Sequence, residues 1–495
     1  MIRNYYEGIC RGEAVRQNLI ALRRELKTEE NKRALAYLLG GEFQVFTDLL
    51  KAEDPKIRKN AALILGGMET EDVLPFLFAA YQREETLFVR TDYLKAMERL
   101  DYFPYLEKLK SKLEELERRL PTEENKKHLR QEQLQLQAMI LKYEKPKKHV
   151  FLGYDTAPEV LLITNRCQIQ ATREQVSTGA VSAFSQGLRI KGGNLRELMK
   201  IRTFSELLFP LPGVRSLSGT PEEIGRGLAR AGLPEFLLDL HKKGGNFYYR
   251  IEVKGPMSLE KKGPFIRRVS RELDEASQGQ LRNSAAEYEA EVRLLEKKDG
   301  SFVPLVKLFT LEDHRFDYRR ETVAASISPV NAALTVQLAK KYLKEDAQIL
   351  DPFCGVGTML LERNRAVKAD PMYGVDIFGE AIEKARENTR RAGAIVHYIN
   401  RDFFDFTHEY LFDEMITDMP RVSGTGGREE LAALYRRFFE RASGFLKQDG
   451  VMILYTMDPK LVEENLSGST VFRKEQEFLI NEKNLTKVFV ITKKI

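Results

Sequence analysis

The segment 347–376 constrains the fold of this 495-residue chain more than any other part of the sequence. Residues 347–350 are typical of a buried strand, and they run directly into the turn DPFCGVGT at 351–358, which a helical pattern follows. Glycines in such a turn let the backbone bend tightly and approach a ligand. A second strand ends at Asp376, 25 residues after Asp351, where a carboxylate can accept hydrogen bonds from ribose hydroxyls. The spacing predicts a Rossmann-like α/β domain that binds a nucleoside.

The turn also indicates which nucleoside cofactor is bound. A dinucleotide fold requires a third small residue, but the sixth position counted from Gly355 is Leu360, which argues against NAD and FAD. No Gly-Lys-Ser/Thr sequence follows a glycine cluster, which excludes a P-loop. S-adenosylmethionine has no phosphate, and its ammonium and carboxylate need a carboxylate and backbone amides. Asp351 and residues 355–357 supply these groups, so we expect S-adenosylmethionine as the cofactor.

Composition narrows the class of protein. The length predicts two to four domains. The three cysteines, Cys10, Cys167 and Cys354, are scattered and match no disulfide or metal-binding spacing. No apolar run approaches the roughly 18–20 residues that span a bilayer, and the N-terminal residues lack the apolar core of a secretion signal. We therefore expect a soluble, cytoplasmic protein with no metal site and no membrane segment.

The net charge of +6 is small for this length, but it is unevenly distributed. Residues 1–148 carry a net charge of +3, residues 149–320 carry +5, and residues 321–495 carry −2. A polyanion would be attracted to the first two regions, and most densely to the middle one. The alternative is ordinary variation among solvated charges.

The first region, 1–148, has the pattern of paired helices. Residues 54–67 begin with a capping Asp54 and Pro55 and end in glycines, and residues 84–96 have a similar apolar spacing. Arg58 and Arg90 occupy matching places 32 residues apart, and an earlier copy of the repeat is predicted in residues 31–50. The pattern resembles short HEAT-like repeats over about 70 residues.

Two charged helices are predicted after these repeats, at about 104–120 and 122–143, and residues 145–148 are a candidate linker. The repeats could offer a surface to a protein partner or to RNA. The alternative is a plain helical extension.

The middle region, 149–320, changes to an α+β pattern. Strands are predicted at 160–164 and 247–254, a helix at 265–276, and a hairpin of 289–296 with 302–309 around an Asp-Gly turn. Residues 247–309 resemble a THUMP domain, an RNA-binding module of RNA-modifying enzymes, and the preceding 149–240 would be its ferredoxin-like partner. We expect residues 254–264 to form a flexible loop. The residues predicted to contact RNA phosphates are Lys261, Lys262, Arg267, Arg268 and Arg271.

The last region, 321–495, extends the match beyond the glycine turn. The turn at 351–358 resembles the first motif of THUMP-associated guanosine methyltransferases, class I enzymes that methylate guanosine N2 in tRNA or rRNA. The similarity continues in FDYRR at 316–320, ISPVNAA at 327–333, YGVD at 373–376 and DGVMILYT at 449–456. The resemblance implies a multidomain α plus α/β protein with a C-terminal class I methyltransferase domain.

The resemblance also assigns roles to individual residues. Asp402 would meet the adenine amino group. Asp418 and Pro420 belong to the family's active-site loop, in which a carboxylate or amide holds the target amine. Arg421 replaces the aromatic residue that stacks on the base, and a guanidinium plane can also stack there. The predicted cofactor-binding residues are Asp351, Cys354, Gly355, Gly357, Thr358, Asp376, Ile377, Asp402 and Phe403; the predicted catalytic residues are Asp418, Pro420 and Arg421.

Two alternatives stay open at this point. Similar loops serve methylation of protein amides, although Asp at 418 and the basic middle region speak against that reading. The other alternative is a catalytically silent RNA-binding or adaptor protein, for which Arg421 and the helical repeats are the supporting features.

Overall fold

The computed structural model describes residues 1–118, 125–145, 148–324, 326–421 and 427–494. The chain divides into two compact units, 1–147 and 148–495. The second unit holds two sheets. The mixed architecture with a Rossmann-like C-terminal domain is confirmed, whereas the division into three domains stays a prediction.

The first unit consists of helices that pack on a shared apolar core. The predicted helices at 54–67 and 84–96 are present, and Asp54 caps the first by accepting from the Lys56 amide at 2.8 Å. They approach closely because position 66 is glycine: a Cβ there would lie 2.5 Å from the Ala96 carbonyl oxygen. The HEAT-like assignment stays a prediction, and the predicted break at 121–124 lies outside the described residues. The helices are α1 Ile2–Cys10, α2 Val15–Glu25, α3 Glu29–Leu39, α4 Gln44–Leu49, α5 Pro55–Gly67, α6 Leu74–Arg83, α7 Leu87–Met97, α8 Leu106–Arg118 and α9 Lys126–Tyr143.

The second unit begins with one sheet of order β2-β3-β1-β4-β8-β7-β5-β6. The two predicted strands and the predicted hairpin are present in it. The THUMP and ferredoxin-like assignments stay predictions. The strands are β1 Val160–Thr164, β2 Ala180–Phe184, β3 Gly187–Lys191, β4 Phe204–Pro210, β5 Phe247–Lys254, β6 Leu281–Asn283, β7 Ala290–Glu296 and β8 Phe302–Leu308; the helices are α10 Ile169–Arg173, α11 Leu195–Leu198, α12 Pro221–Arg230, α13 Leu233–Leu240 and α14 Leu259–Ala276.

The predicted loop at 254–264 is wrong in its second half. Helix α14 begins at Leu259 and continues through Pro264, so Lys261 and Lys262 lie on the helix. Proline inside a helix removes one backbone hydrogen bond and usually ends it. Here Val269 and Leu273 are buried against the sheet, and this packing stabilises the helix despite Pro264.

The C-terminal sheet has the order β11-β10-β9-β12-β13-β15-β14. The first five strands are parallel, and β15 and β14 continue the sheet in antiparallel fashion. The strand order reverses beside β9, where open α/β sheets bind ligands at the carboxyl ends of their strands. The strands are β9 Ala347–Asp351, β10 Ala369–Asp376, β11 His397–Asn400, β12 Phe412–Asp418, β13 Leu446–Thr456, β14 Phe472–Asn481 and β15 Thr486–Lys493; the helices are α15 Pro329–Ala339, α16 Thr358–Ala366, α17 Gly379–Ala392, α18 Arg428–Ser443 and α19 Pro459–Leu466.

A buried ion pair fixes α16 against β12, below the carboxyl ends of the strands. Arg363 donates from Nε and Nη2 to the two carboxylate oxygens of Glu414, at 2.7 Å each, and both side chains are almost fully buried. Because a buried charge must be paired, the two residues hold the helix and the strand in one register.

None of the helices in the described part of the chain is long and apolar enough to cross a membrane.

Candidate cofactor and substrate site

A cavity of about 720 Å³ opens at the carboxyl ends of β9, β10 and β12. It brings together eleven of the residues predicted from sequence, with cofactor and catalytic candidates side by side. Gly357 lies in the same turn but is not among the described lining residues. The predicted residues that line the cavity are Asp351, Cys354, Gly355, Thr358, Asp376, Ile377, Asp402, Phe403, Asp418, Pro420 and Arg421.

The turn after β9 is shaped by its glycines. Gly357 has a φ of +79°, which favours glycine, and it immediately precedes α16. A Cβ at this position would lie 2.1 Å from the hydroxyl oxygen of Tyr398, which is itself bonded to Thr389 at 2.8 Å. The turn therefore passes so close to Tyr398 that any side chain at 357 would displace it.

Two carboxylates organise the cofactor side of the cavity. Asp376 accepts from the Gly355 amide at 2.8 Å and from the Phe378 amide at 2.9 Å, so it ties the end of β10 to the glycine turn. Asp402 accepts from the Phe404 amide at 2.9 Å. Backbone donors hold both carboxylates in place at the cavity wall. In that position Asp376 could accept from ribose hydroxyls and Asp402 from an amino group.

The innermost acid is Asp351. Burial, with smaller contributions from the neighbouring Asp376 and Asp418, raises the pKa of this carboxyl to about 8. Burial likewise raises the pKa of the Cys354 thiol, which stays protonated in the turn. A bound ammonium would favour the ionised form of Asp351, because an opposite charge within a few ångströms lowers a carboxyl pKa. The residues present therefore fit the predicted cofactor at its charged end.

The substrate side is formed by the end of β12. Arg421 donates from Nη2 to Asp418 Oδ2 at 3.2 Å, whereas the buried Oδ1 of Asp418 has no hydrogen-bond partner among the described residues. Burial raises the pKa of Asp418 to about 6, and the guanidinium of Arg421 opposes that shift. A buried carboxylate oxygen without a partner is costly, and an amine donor from a ligand would satisfy it.

The sequence did not predict the residues that fix the glycine turn through hydrogen bonds outside the cavity lining. Arg319 donates from Nε to Thr358 Oγ1 at 3.0 Å and from Nη2 to the Ile327 carbonyl at 2.7 Å. The buried Asn388 donates to the Val356 carbonyl at 3.2 Å and exchanges hydrogen bonds with the Glu321 backbone. The family resemblance covered these positions without assigning them a role.

The predicted RNA-binding residues lie on α14 and do not line the cavity. Arg268 donates to both carboxylate oxygens of Glu222, at 2.6 and 2.8 Å, and Arg271 approaches the same residue at 3.5 Å. Part of the predicted basic face is therefore already paired with an acid on α12. Arg267, Lys261 and Lys262 lie on the same helix.

Solved structures share this arrangement of sheets. TrmN from Thermus thermophilus matches 68% of this chain and 99% of its own, with a TM-score of 0.52 and 20% identity. SMU.472, a putative methyltransferase solved with SAH, matches 70% of this chain and 98% of its own, with a TM-score of 0.50 and 15% identity. At these identities the likeness shows the fold alone.

The sequence comparisons define the domain further. Residues 317–487 match the family UPF0020, described as RMKL-like, methyltransferase domain. The C-terminal part of this protein is therefore a methyltransferase domain.

Two curated relatives match part of this chain. The tRNA (guanine(10)-N2)-dimethyltransferase of Methanothermobacter thermautotrophicus is 29% identical over 172 residues, which are 34% of this chain and 50% of the relative. An uncharacterized RNA methyltransferase of Clostridium tetani is 34% identical over 92 residues, 18% of this chain and 19% of the relative. The chain spans half or less of the length of these relatives.

Proposed function

We propose that this protein transfers the methyl group of S-adenosylmethionine to the N2 amine of guanosine in tRNA or rRNA. The observation that carries the proposal is the position of Asp418. Asp418 lines the same cavity as the glycine turn and the two organising carboxylates, Asp376 and Asp402, and its buried Oδ1 has no hydrogen-bond partner among the described residues. Cofactor and target amine could therefore meet in one enclosure.

Different residues on the cofactor side of the cavity would bind different parts of the cofactor. Asp351 and the backbone of the glycine turn would take the ammonium and carboxylate, Asp376 the ribose hydroxyls, and Asp402 the adenine amino group. Ile377, whose side chain is exposed in the cavity wall, would cover one face of the adenine. The bound cofactor supplies an electrophilic methyl carbon attached to a positively charged sulfur.

Asp418 would act on the amine. By accepting a hydrogen bond from one amine hydrogen, its carboxylate would fix the direction of the nitrogen lone pair toward the methyl carbon. The bound cofactor would give its methyl carbon to the amine nitrogen, and the electron pair of the broken carbon–sulfur bond would stay on sulfur. The proton lost from the amine passes to Asp418 or to water.

The choice of RNA and of guanosine N2 rests on the curated relatives. One relative is named for N2 dimethylation of tRNA guanosine and another for RNA methylation. The central region, with the basic helix α14, would grip the RNA backbone, as the THUMP resemblance implies.

The test is incubation of the purified protein with radiolabelled cofactor and either total RNA or total protein. Label should appear in the RNA, and Asp418→Ala should abolish it while leaving cofactor affinity within a few-fold of the wild type. Asp346→Asn is the matched control, because Asp346 is exposed at the opposite edge of the sheet and its φ of +52° is one that Asn tolerates. Label in protein alone would overturn the proposal.

A further inference from the structure

A second cavity of about 400 Å³ adjoins the first and shares Ser326, Ile327 and Arg421 with it. We call it the polar cavity. Its other walls come from the start of α15, the end of β13 and the turn between β14 and β15, together with Asn165 of the central region. It therefore lies between the central region and the catalytic loop.

Two asparagine side chains that line the polar cavity use their amide oxygens within the protein. Asn481 uses its amide oxygen to accept from the Lys483 amide at 2.8 Å, and Asn484 uses its own to accept from Thr486 Oγ1 at 2.7 Å. Because the oxygens of Asn481 and Asn484 are engaged in these bonds, their amide N–H groups can donate to a ligand.

Tyr455 adds a further donor. Its hydroxyl accepts from Asn331 Nδ2 at 3.3 Å, which leaves the hydroxyl hydrogen to donate. Burial raises the pKa of Tyr455, and the nearby Asp418 raises it further, so the hydroxyl keeps its proton. A ligand that supplies acceptor oxygens would suit this wall.

The charge of the polar cavity points to an anion. Arg421 is the one charged side chain among its described lining residues, which include no carboxylate. Neutral amides and hydroxyls around one guanidinium are the set that proteins use for phosphate oxygens in nucleic acids.

We propose that the polar cavity binds a backbone phosphate of the RNA next to the target nucleotide. This inference rests on the proposed function. Arg421 faces both cavities, and in the free protein it is paired with Asp418 at 3.2 Å. A phosphate in the polar cavity competes for the guanidinium, and the exchange releases Oδ2 of Asp418 as a second acceptor for the target amine. RNA binding thereby prepares the acid that holds the amine.

The test is the salt dependence of binding to unfractionated tRNA, measured by filter binding from about 50 to 200 mM KCl. Arg421→Met should lower the slope of log Kd against log salt by about 0.7–0.9, the value of one phosphate contact. Arg421→Lys should keep the wild-type slope, because it retains the charge although it loses the planar group. Cofactor affinity of each variant shows that the domain is folded.

Arg390→Met is the matched control, because Arg390 is exposed near the end of α17, at the opposite edge of the sheet. It should leave the slope unchanged. If Arg421→Lys and Arg421→Met lose methyl transfer equally while both keep the slope, Arg421 stacks on a base and the phosphate site is wrong.

Inorganic phosphate serves as a further probe. If it binds the wild type and not Arg421→Met, while the tRNA slope is unchanged between them, the cavity takes a free anion and the inference is overturned. Absence of methyl transfer to any RNA by the wild type would instead overturn the proposed function. That outcome comes from the radiolabel assay, which is independent of the binding measurements.

Discussion

Arg421 and Asp418 form an ion pair at 3.2 Å through one carboxylate oxygen, and the other oxygen has no partner within the described residues. The guanidinium is partly exposed, whereas the carboxylate is mostly buried. The pair lies at the boundary between the two cavities, so whatever displaces the arginine alters the charge and the free acceptors of the acid.

The first prediction concerns the acid itself. Asp418→Ala should lower the rate of methyl transfer by about 10²–10⁴-fold, the range for a positioned acid–base group. Asp418→Asn should lose less, because its amide oxygen still accepts a hydrogen bond from the amine. Single-turnover rates at saturating cofactor measure both; equal losses in the two variants would contradict the hydrogen-bonding role.

The second prediction concerns pH. Since the pKa of Asp418 is raised to about 6, the carboxylate is ionised above that pH and protonated below it. Because Arg421 lowers this pKa and RNA binding releases Arg421, the transfer rate should rise with pH through a midpoint above about 6 and then level off. Asp418→Asn should remove this limb of the pH profile, and a limb that persists in the variant would belong to another group.

The third prediction concerns the ribose. Asp376→Ala should weaken cofactor binding by about 10- to 100-fold, because hydrogen bonds to a charged group contribute about 1.5–3 kcal/mol. The substitution also removes the acceptor for the Gly355 and Phe378 amides. Calorimetry measures the affinity, with the exposed Asp239→Ala as a control. Unchanged affinity in the Asp376 variant would place the ribose elsewhere.

The fourth prediction concerns the glycine turn. Gly357→Ala should destabilise the domain by about 1–3 kcal/mol from backbone strain, with a further steric cost from the Tyr398 hydroxyl. Adding Tyr398→Phe removes the atom at 2.1 Å and leaves the next at 3.1 Å, so the double variant should recover part of the loss. Thermal unfolding of the wild type, the two single variants and the double variant gives the coupling free energy between the two substitutions. If their effects on stability are strictly additive, the predicted contact between position 357 and the Tyr398 hydroxyl is ruled out.

The fifth prediction concerns the basic helix. Arg268 pairs with Glu222, whereas Arg271 lies near both Glu222 and Glu272, so Glu222→Ala should free Arg268 and strengthen tRNA binding at low salt. Replacing Arg267, Arg268 and Arg271 together by Ala should weaken binding and flatten its salt dependence. If neither change alters the affinity for tRNA, the RNA-binding surface lies off this helix.

How much the sequence reveals depends on how local each signal is. The turn around Gly355 and the strand ending at Asp376 could be predicted, because glycines and strand spacing are read within a few residues. The pairing of Arg268 with Glu222 spans 46 residues, and that of Arg363 with Glu414 spans 51. Neither carries a local pattern.

The continuation of α14 through Pro264 and the polar cavity could not be predicted from the sequence, for two different reasons. Pro264 is a strong local signal for a loop, yet the buried face of α14 outweighs it. The polar cavity could not be predicted because Asn165, Tyr455 and Asn484 come together only through the tertiary fold.

The measurement that tests the central claim most directly is the identity of the modified nucleoside. RNA labelled by the protein with radioactive cofactor is digested to nucleosides and separated by chromatography beside standards. The label should co-migrate with N2-methylguanosine or N2,N2-dimethylguanosine and be absent with Asp418→Ala. Label on another nucleoside, or in protein and not in RNA, would contradict the proposed function.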